Sequence, residues 1–313
     1  KNYRFDGIAG ALQEFTENLL KKWFEQIYQK TNIKDFVYSG GVANNVKANK
    51  VLLEQHFIDS LFVPVGPGDE SLSVGAAYAA IYDNTNKILA DKIIEPKNNA
   101  YWGADVDSRL HDRFNNTKYI KDNFEIDRNS TLKDLATIIA KGEVVALLYG
   151  NMEFGARALG HRSLVADPSS VNSVRKINDL IKKRDFWMPF TPSILDENFD
   201  NYVVDHKKSS QAFMTVTYDT TALGRTHLAG AIHPYDYTVR PQRVTKETCS
   251  TYHGIISEFK KLTGVGALLN TSLNIHGKPI VSQPTDLLAE ILYEGIPLNY
   301  LYIQGALYKR IGL

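Results

Sequence analysis

The stretch Asn151–Ser193, NMEFGARALGHRSLVADPSSVNSVRKINDLIKKRDFWMPFTPS, follows a predicted strand, residues 143–149, and contains a predicted helix, residues 171–181. A glycine-containing turn, residues 150–155, separates the strand from a run of basic side chains. Four of the cations in the stretch are Arg157, Arg162, Lys182 and Arg184, with His161 beside them. This alternation of strand, turn and helix predicts a unit in which strands and helices are mixed.

Two of these arginines stand in weakly polar surroundings. Arg157 and Arg162 lie among Gly, Ala, Leu and Val, whereas a surface helix would place acidic partners around its cations. Half-buried arginines need an anionic partner, and the planar guanidinium suits a phosphate or carboxylate. The residues therefore predict a phosphate pocket. A structural cluster of salt bridges with Glu153, Asp167 or Asp185 is the alternative, which residue types alone leave open.

Composition limits the kinds of partner. The chain has 313 residues, 43% of them hydrophobic, and a formal net charge of +1, which suggests two domains and gives no reason to expect nucleic acid or an anionic membrane. The single cysteine, Cys249, excludes an internal disulfide and suits a reducing compartment. No apolar run reaches the roughly 18 residues of a membrane span. We therefore expect a cytoplasmic protein without membrane or nucleic-acid partners.

The first region alternates helices, strands and glycine turns. Apolar residues step by threes and fours along a predicted helix that ends near Lys30: Phe5, Ile8, Leu12, Phe15, Leu19, Trp23 and Ile27. After it come extended runs at residues 36–38 and 61–65, each followed by a glycine turn and a helix, residues 46–55 and 72–82. This order predicts an α/β pattern, in which ligands bind at the carboxyl ends of strands.

Both glycine turns contain candidate ligand-binding residues. In SGGVANN, Gly40 and Gly41 would let the backbone approach a phosphate, and Asn44 and Asn45 could read a ribose or a base edge. A tight turn with an Asn cap is an equal alternative. Asp69, in the second turn, could hold a divalent cation, although taken alone it fits a helix N-cap better.

A polar stretch, residues 84–101, predicts a linker, so we divide the chain into domains at residues 1–90 and 91–313. The second region is predicted to be α+β. Its helices are expected at residues 131–141, 247–262 and 286–293, and its strands at residues 213–218 and 300–308. Another apolar strand ends at Asn270, Thr271 and Ser272, whose polar groups suit a small ligand or a capped turn.

Four ordered motifs, FGARALGHRSLVADP, IKKRDFWMPFTPSIL, HPYDYTVRPQRV and LLNTSLNIHGKPIVSQPTD, resemble the O-carbamoyltransferase family that decorates antibiotics, nodulation factors and polysaccharides. SGGVANN and GPGDESLSVGAA resemble the distal part of the actin-like (ASKHA) ATPase domain of that family. The implied fold is a partial actin-like subdomain followed by a YrdC/Sua5-like α/β domain.

The resemblance implies a two-step reaction. Carbamoyl phosphate and ATP would form carbamoyl adenylate and pyrophosphate in the YrdC-like domain. The carbamoyl group would then pass to a hydroxyl of a small-molecule or saccharide acceptor in the actin-like domain, near a metal. The implied cofactors are ATP with Mg²⁺ and a divalent metal at the transfer site, for which Fe²⁺ is one candidate.

Site residues follow from the same motifs. Those matched to carbamoyl phosphate and the adenylate are Arg157, Lys182, Arg184, Arg240, Asn270 and Ser272. Those expected to contact the nucleotide are Gly40, Gly41, Asn44, Asn45 and Arg162, and Asp69 matches the metal-binding aspartate. His161 takes a position where the family often has Asn.

The family's actin-like domain has a substantial upstream half, with phosphate loops and a metal-binding histidine pair, whereas this sequence begins at Lys1. We therefore expect a C-terminal portion whose first helix associates with that upstream half or with a second copy. The leading hypothesis is a carbamoyltransferase. The alternative is a non-catalytic nucleotide- or anion-binding subunit of a split carbamoyltransferase assembly.

Overall fold

The computed structural model describes residues 4–94, 98–182, 188–209 and 212–312, so that Arg184 and Asp185 lie outside the described residues. The chain forms two compact units. The first takes in Lys1–Lys97 and Asp205–Tyr218, and the second takes in Asn98–Val204 and Asp219–Leu313. The segment Asp205–Tyr218 thus belongs to the first unit, although it follows part of the second unit in the sequence. The composition along the chain does not predict this arrangement.

The first unit joins helices to a short parallel sheet. Its helices are α1 (Phe5–Thr31), α2 (Val46–Leu53), α3 (Leu72–Asn84) and α4 (Lys87–Ile93), and its strands are β1 (Asp35–Val37) and β2 (Ser60–Phe62). The helix predicted from the apolar spacing is confirmed as α1. The stretch interpreted as a linker instead contains α4, because the side chain of Asn86 accepts the Leu89 N–H and caps a short helix there.

Only part of the apolar surface of α1 is buried in this unit. Leu20 and Phe24 are buried, and the Phe24 ring contacts Tyr38 with ring centroids 5.3 Å apart. Phe5 and Phe15, both nearer the start of the helix, are exposed. The association expected for this helix therefore stays a prediction.

The segment Asp205–Tyr218 packs on α2 through its backbone. Asn49, buried on α2, donates from Nδ2 to Ala43 O at 2.7 Å and to Thr215 O at 2.8 Å, and Thr217 N donates to Val46 O at 3.2 Å. The strand predicted at residues 213–218 is wrong. Met214 has φ +60°, which breaks the extended backbone that a strand needs.

The second unit is built on an eight-stranded mixed sheet. Its helices are α5 (Ser108–Asn115), α6 (Lys118–Asn123), α7 (Leu132–Ala140), α8 (Val171–Ile177), α9 (Phe199–Tyr202), α10 (Ala222–His227), α11 (Ser250–Thr263) and α12 (Pro284–Glu294). Its strands are β3 (Phe124–Asp127), β4 (Val145–Leu148), β5 (Arg162–Ala166), β6 (Thr191–Leu195), β7 (Val203–Val204), β8 (Asp219–Thr220), β9 (Gln242–Val244), β10 (Ala267–Ser272), β11 (Tyr300–Ile303) and β12 (Ala306–Arg310).

The strand order of the large sheet is β3-β12-β11-β4-β5-β10-β6-β9. β4 and β6 run parallel to β11 and β9, the other neighbours are antiparallel, and β7 and β8 form a separate antiparallel pair. Helices α7 and α11 pack on each other and on β4, β5, β6 and β10. Side chains of the opposite face, such as Leu148 and Leu164, form a buried core with Phe114 of α5 and Leu287 of α12. The predicted mixed α/β class is confirmed.

Two local predictions in the second unit have different outcomes. The helix predicted at residues 131–141 is confirmed as α7, where Thr131 and Asp134 form a reciprocal capping box. The single strand predicted at residues 300–308 is instead a hairpin of β11 and β12. Gln304 and Gly305 have φ of +46° and +90°, the left-handed conformation that turns a two-residue hairpin loop.

Among the described residues, no helix combines the length and apolar character that crossing a bilayer requires.

Candidate functional site

The loop between β4 and β5, residues 149–161, is closed at its base by Arg162. Leu148 pairs with Arg162 at the end of the two strands. The fully buried Arg162 guanidinium donates from Nη1 to Tyr149 O at 2.8 Å, from Nη2 to Gly150 O at 3.0 Å and from Nε to Ser282 O at 2.9 Å. These contacts give the guanidinium a structural role. The nucleotide contact expected for Arg162 stays a prediction.

The middle of the loop is organised by Glu153, which is 6% exposed. Its Oε1 accepts the backbone N–H groups of Leu159 at 2.7 Å, His161 at 2.8 Å and Arg162 at 3.2 Å. Among the described residues Glu153 forms no ion pair with Arg157 or Arg162, and its Oε2 has no hydrogen-bond partner. Glu153 therefore binds the backbone of the loop, and the salt-bridge alternative finds no support at this residue.

His161 packs inside the same loop as a neutral imidazole. Its Nδ1 lies 2.7 Å from Asn151 O, an acceptor, so Nδ1 carries the hydrogen and Nε2 accepts from the Cys249 thiol at 3.3 Å. The Tyr101 ring stacks on the imidazole with centroids 3.9 Å apart. Burial lowers the pKa of His161, and nearby Glu153 opposes that shift only in part.

Arg157 stands near the far end of this loop and differs from the other cations. It is half-buried, and no described residue forms a hydrogen bond or an ion pair with it. Burial alone lowers the pKa of its guanidinium. The carbonyl of the next residue, Ala158, accepts from Asn270 Nδ2 at 3.0 Å, so the loop meets β10 beside Arg157. A guanidinium without a partner in partly buried surroundings would gain from an anionic ligand.

Asn270 and Ser272 lie on one face of β10, because alternate residues of a strand share a face. The strand ends at Ser272, which confirms the prediction that it ends in the NTS sequence. Asn270 Nδ2 also donates to Ser193 Oγ at 3.0 Å, and Ser193 Oγ donates to Gln242 Oε1 at 2.6 Å. Asn270 Oδ1 is buried and has no hydrogen-bond partner among the described residues. The amide is thus held through its nitrogen, and its oxygen is left to accept a donor from a ligand.

Lys182 reaches the same end of β10 from the turn after α8. It ends a π-helical turn, Asn178–Lys182, and its buried ammonium donates to Ser272 O at 2.5 Å and to Ser272 Oγ at 3.1 Å. It also donates to Asn274 Oδ1 at 2.6 Å, and that oxygen accepts from Ser272 Oγ at 2.6 Å. Lys182 and Ser272, both predicted site residues, are therefore in direct contact.

Asn274 was not among the predicted residues. Its side chain is anchored by Nδ2, which donates to Lys278 O at 2.5 Å. The signal in the sequence was its position two residues after Ser272, which continues the alternation of β10 beyond the end of the strand.

The remaining predicted cations are less fully defined. Arg240 is half-buried and precedes β9 by two residues, and Gln242 of β9 donates from Nε2 to Leu159 O at 2.7 Å. This places the backbone near Arg240 next to the loop of Arg157. Arg184 lies outside the described residues.

The two glycine turns of the first unit meet each other. Gly40, with φ +110°, donates its N–H to Pro67 O at 2.7 Å, and Ser39 Oγ donates to the same oxygen at 2.9 Å. Gly40, Gly41 and Asn44 are exposed. The side chain of Asn45, by contrast, is hydrogen-bonded. Its Oδ1 accepts the Ala48 N–H at 3.1 Å as the cap of α2, and its Nδ2 donates to Gln13 Oε1 at 2.8 Å.

Asp69 is exposed at the start of a 3-10 turn that follows the second glycine turn. Among the described residues, no three His, Cys, Asp or Glu side chains gather as they would around a metal ion. Asp69 supplies one carboxylate, fewer ligands than a divalent cation takes. The metal contact expected for Asp69 stays a prediction.

Comparison with known proteins identifies the family. Residues 136–310 match the family model "Carbamoyltransferase C-terminus" and residues 1–78 match "Carbamoyltransferase N-terminus". An uncharacterized protein of Methanocaldococcus jannaschii is 35% identical over 91% of this chain and 53% of its own length. Nodulation protein NolNO of Sinorhizobium fredii is 32% identical over 91% of this chain and 41% of its own length.

The chain spans about half the length of the curated relatives it matches, 49% and 53% for two of them. Among solved structures, HypF of T. kodakarensis aligns over 60% of this chain and 23% of its own, with 16% identity and a TM-score of 0.42. The C-terminal family model alone covers more than half of the chain, and the motifs quoted from the sequence lie within it or within the N-terminal match. The chain belongs to the carbamoyltransferase family.

Proposed function

We propose that the second unit binds carbamoyl phosphate and ATP and forms carbamoyl adenylate, whose carbamoyl group then passes to a hydroxyl of an acceptor. The observation that carries this proposal is Arg157, a half-buried guanidinium without a partner among the described residues. The carbonyl of the following residue, Ala158, accepts from Asn270 Nδ2, and the buried Oδ1 of Asn270 also lacks a hydrogen-bond donor there. A ligand with a phosphate and an amide N–H would satisfy both groups.

Carbamoyl phosphate is such a ligand. Its phosphate oxygens suit Arg157, and its NH₂ group can donate to Asn270 Oδ1. Lys182 adds a buried ammonium beside Ser272. A positive charge held in partly dry surroundings stabilises a phosphate as negative charge develops on it, since the donors need no reorganisation during the reaction.

The reaction balances in two stages. Water attacks the phosphorus of carbamoyl phosphate, and the bond from phosphorus to the carbamoyl oxygen breaks. Inorganic phosphate and carbamate form. A carbamate oxygen then attacks the α-phosphorus of ATP, and pyrophosphate leaves as carbamoyl adenylate forms. Each adenylate thus accompanies one inorganic phosphate and one pyrophosphate. Arg157 and Lys182 would bind the phosphate that leaves in the first stage.

The test measures both products from the 313-residue chain with ATP, Mg²⁺ and carbamoyl phosphate, and without any acceptor. We expect pyrophosphate release that requires carbamoyl phosphate and equals the phosphate formed. Arg157→Ala should lower the rate by about a hundredfold, as loss of one oxyanion donor does. Arg113→Ala, which removes an exposed arginine of α5, should leave it unchanged.

Three results would contradict the proposal. Release that does not require carbamoyl phosphate would exclude it as the substrate. Release that is insensitive to Arg157→Ala would remove the central residue. Binding of carbamoyl phosphate by calorimetry without any release would favour the alternative, a non-catalytic anion-binding subunit.

A further inference from the structure

The loop that carries Arg157 is built around a single buried carboxylate. Glu153 lies four residues before Arg157. The Oε1 atom of Glu153 accepts three N–H groups, which belong to residues 159, 161 and 162, just after Arg157. The carboxylate therefore ties the chain that leads to Arg157 to the chain that leaves it. Residues 154–158 are enclosed by this tie.

Burying a carboxylate is costly, and Glu153 is compensated almost entirely by the loop backbone. Three N–H groups converge on one oxygen, while Oε2 is buried without a hydrogen-bond partner among the described residues. Such a group persists where the contacts it makes are worth more than its desolvation. The contacts it makes are those that shape the loop.

The other fixed points of the loop lie at its base, against neighbouring strands, or against residues 100–104, where Phe154 N donates to Ala100 O at 2.7 Å. Arg162 holds the carbonyls of Tyr149 and Gly150 where β4 ends, and Asn270 and Gln242 hold the carbonyls of Ala158 and Leu159. These contacts fix the position of the loop after Arg157. Within the loop, His161 Nδ1 also joins the two sides of Arg157 through Asn151 O at 2.7 Å, whereas Glu153 joins them closer to Arg157 and through three N–H groups.

We infer that Glu153 is the positioning residue of Arg157: its carboxylate sets the loop so that the guanidinium is presented to an anion before the anion arrives. The identity of that anion rests on the proposed function, whereas the positioning does not. Because an amide oxygen also accepts N–H bonds, the inference concerns the acceptor at Oε1 rather than the negative charge.

Binding of inorganic phosphate and of carbamoyl phosphate, measured by calorimetry, tests the inference in a double-mutant cycle. Glu153→Ala should weaken binding by about tenfold or more, and it should have less than about a twofold further effect when Arg157→Ala is already present. Glu153→Gln should bind within about threefold of the wild type, because its amide oxygen can accept the same three N–H groups. Glu125→Ala, which removes an exposed glutamate of β3, is the matched control.

A merely structural role would give another pattern. Equal weakening by Glu153→Ala with and without Arg157 would overturn the inference, as would wild-type binding by Glu153→Ala. If Glu153→Ala does not fold, Glu153→Asp carries the same test, since the shorter side chain withdraws the oxygen from the loop.

The outcome is separable from that of the proposed function. Coupled loss of phosphate binding without any pyrophosphate release would support the positioning of Arg157 and reject the reaction. Pyrophosphate release that depends on Arg157 but not on Glu153 would support the reaction and reject the positioning. Absence of anion binding in the wild type would reject both.

Discussion

Lys182 Nζ lies 2.6 Å from Asn274 Oδ1, and the two residues belong to segments on either side of β6, β9 and α11 in the sequence. The same amide oxygen accepts the Ser272 hydroxyl at 2.6 Å, and the amide nitrogen donates to Lys278 O. With its nitrogen engaged by a carbonyl, the amide has one orientation. Asn274 therefore holds the lysine and the serine of the site in a fixed relation.

Two replacements of Asn274 should have different effects on the stability of the protein and on its binding of carbamoyl phosphate. Asn274→Ala leaves the buried Lys182 ammonium with fewer acceptors, so we expect about 1–3 kcal/mol less stability and slower pyrophosphate release. Asn274→Asp should keep stability by pairing with Lys182, yet weaken carbamoyl phosphate binding because the cation is then neutralised. Urea unfolding and calorimetry measure the two effects, with exposed Asn116→Ala as the control. Equal binding by Asn274→Asp and wild type would contradict this role.

The two cations should differ in what their removal costs. Lys182 donates to three oxygen atoms in a buried position, so Lys182→Met should lower the free energy of unfolding by about 1–3 kcal/mol. Arg157 has no partner among the described residues, so Arg157→Met should change stability by less than about 0.5 kcal/mol. Both variants should lose carbamoyl-phosphate-dependent release. A large stability loss in Arg157→Met would instead identify that arginine as structural.

His161 should make stability depend on pH. Burial lowers its folded pKa below the ordinary value of 6.5, so the unfolded chain takes up a proton that the folded chain does not. The stabilisation is complete above about pH 6.5 and falls as the pH drops from there towards the lowered folded pKa. His161→Asn should flatten the decline in urea stability between about pH 7 and pH 5. An unchanged slope in His161→Asn would contradict the burial effect.

Asn45 and Asn44 should respond differently in the first unit. Asn45 caps α2 and bonds Gln13 of α1, so Asn45→Ala should destabilise the protein by about 1 kcal/mol or more. Asn44 is exposed, so Asn44→Ala should leave stability unchanged. If the turn binds a nucleotide as predicted, Asn44→Ala should weaken ATP binding, as measured by calorimetry. Equal stability of the two variants would show that the Asn45 contacts contribute little.

Where the signal was local, the sequence determined the structure closely. The apolar spacing of Phe5 to Ile27 predicted α1, and the pattern of residues 131–141 predicted α7, because helix faces and caps depend on residues three or four positions apart. The motifs also indicated the family, because each motif is a fixed order of residues in the sequence. They named Arg157, Lys182, Asn270 and Ser272 in this way, although no local rule brings those residues together.

Only the tertiary structure decided what those side chains do. Ser272 meets Lys182 because β10 pairs with β5 and because the turn after α8 passes the end of β10, and neither pairing is written in residue spacing. The Arg162 guanidinium donates to backbone carbonyls, whereas Arg157 has no partner among the described residues, although both stand in the same weakly polar sequence. The physical reason is that burial and hydrogen bonding belong to the packed chain. Two arginines five positions apart differ in role according to which carbonyls the fold brings within reach.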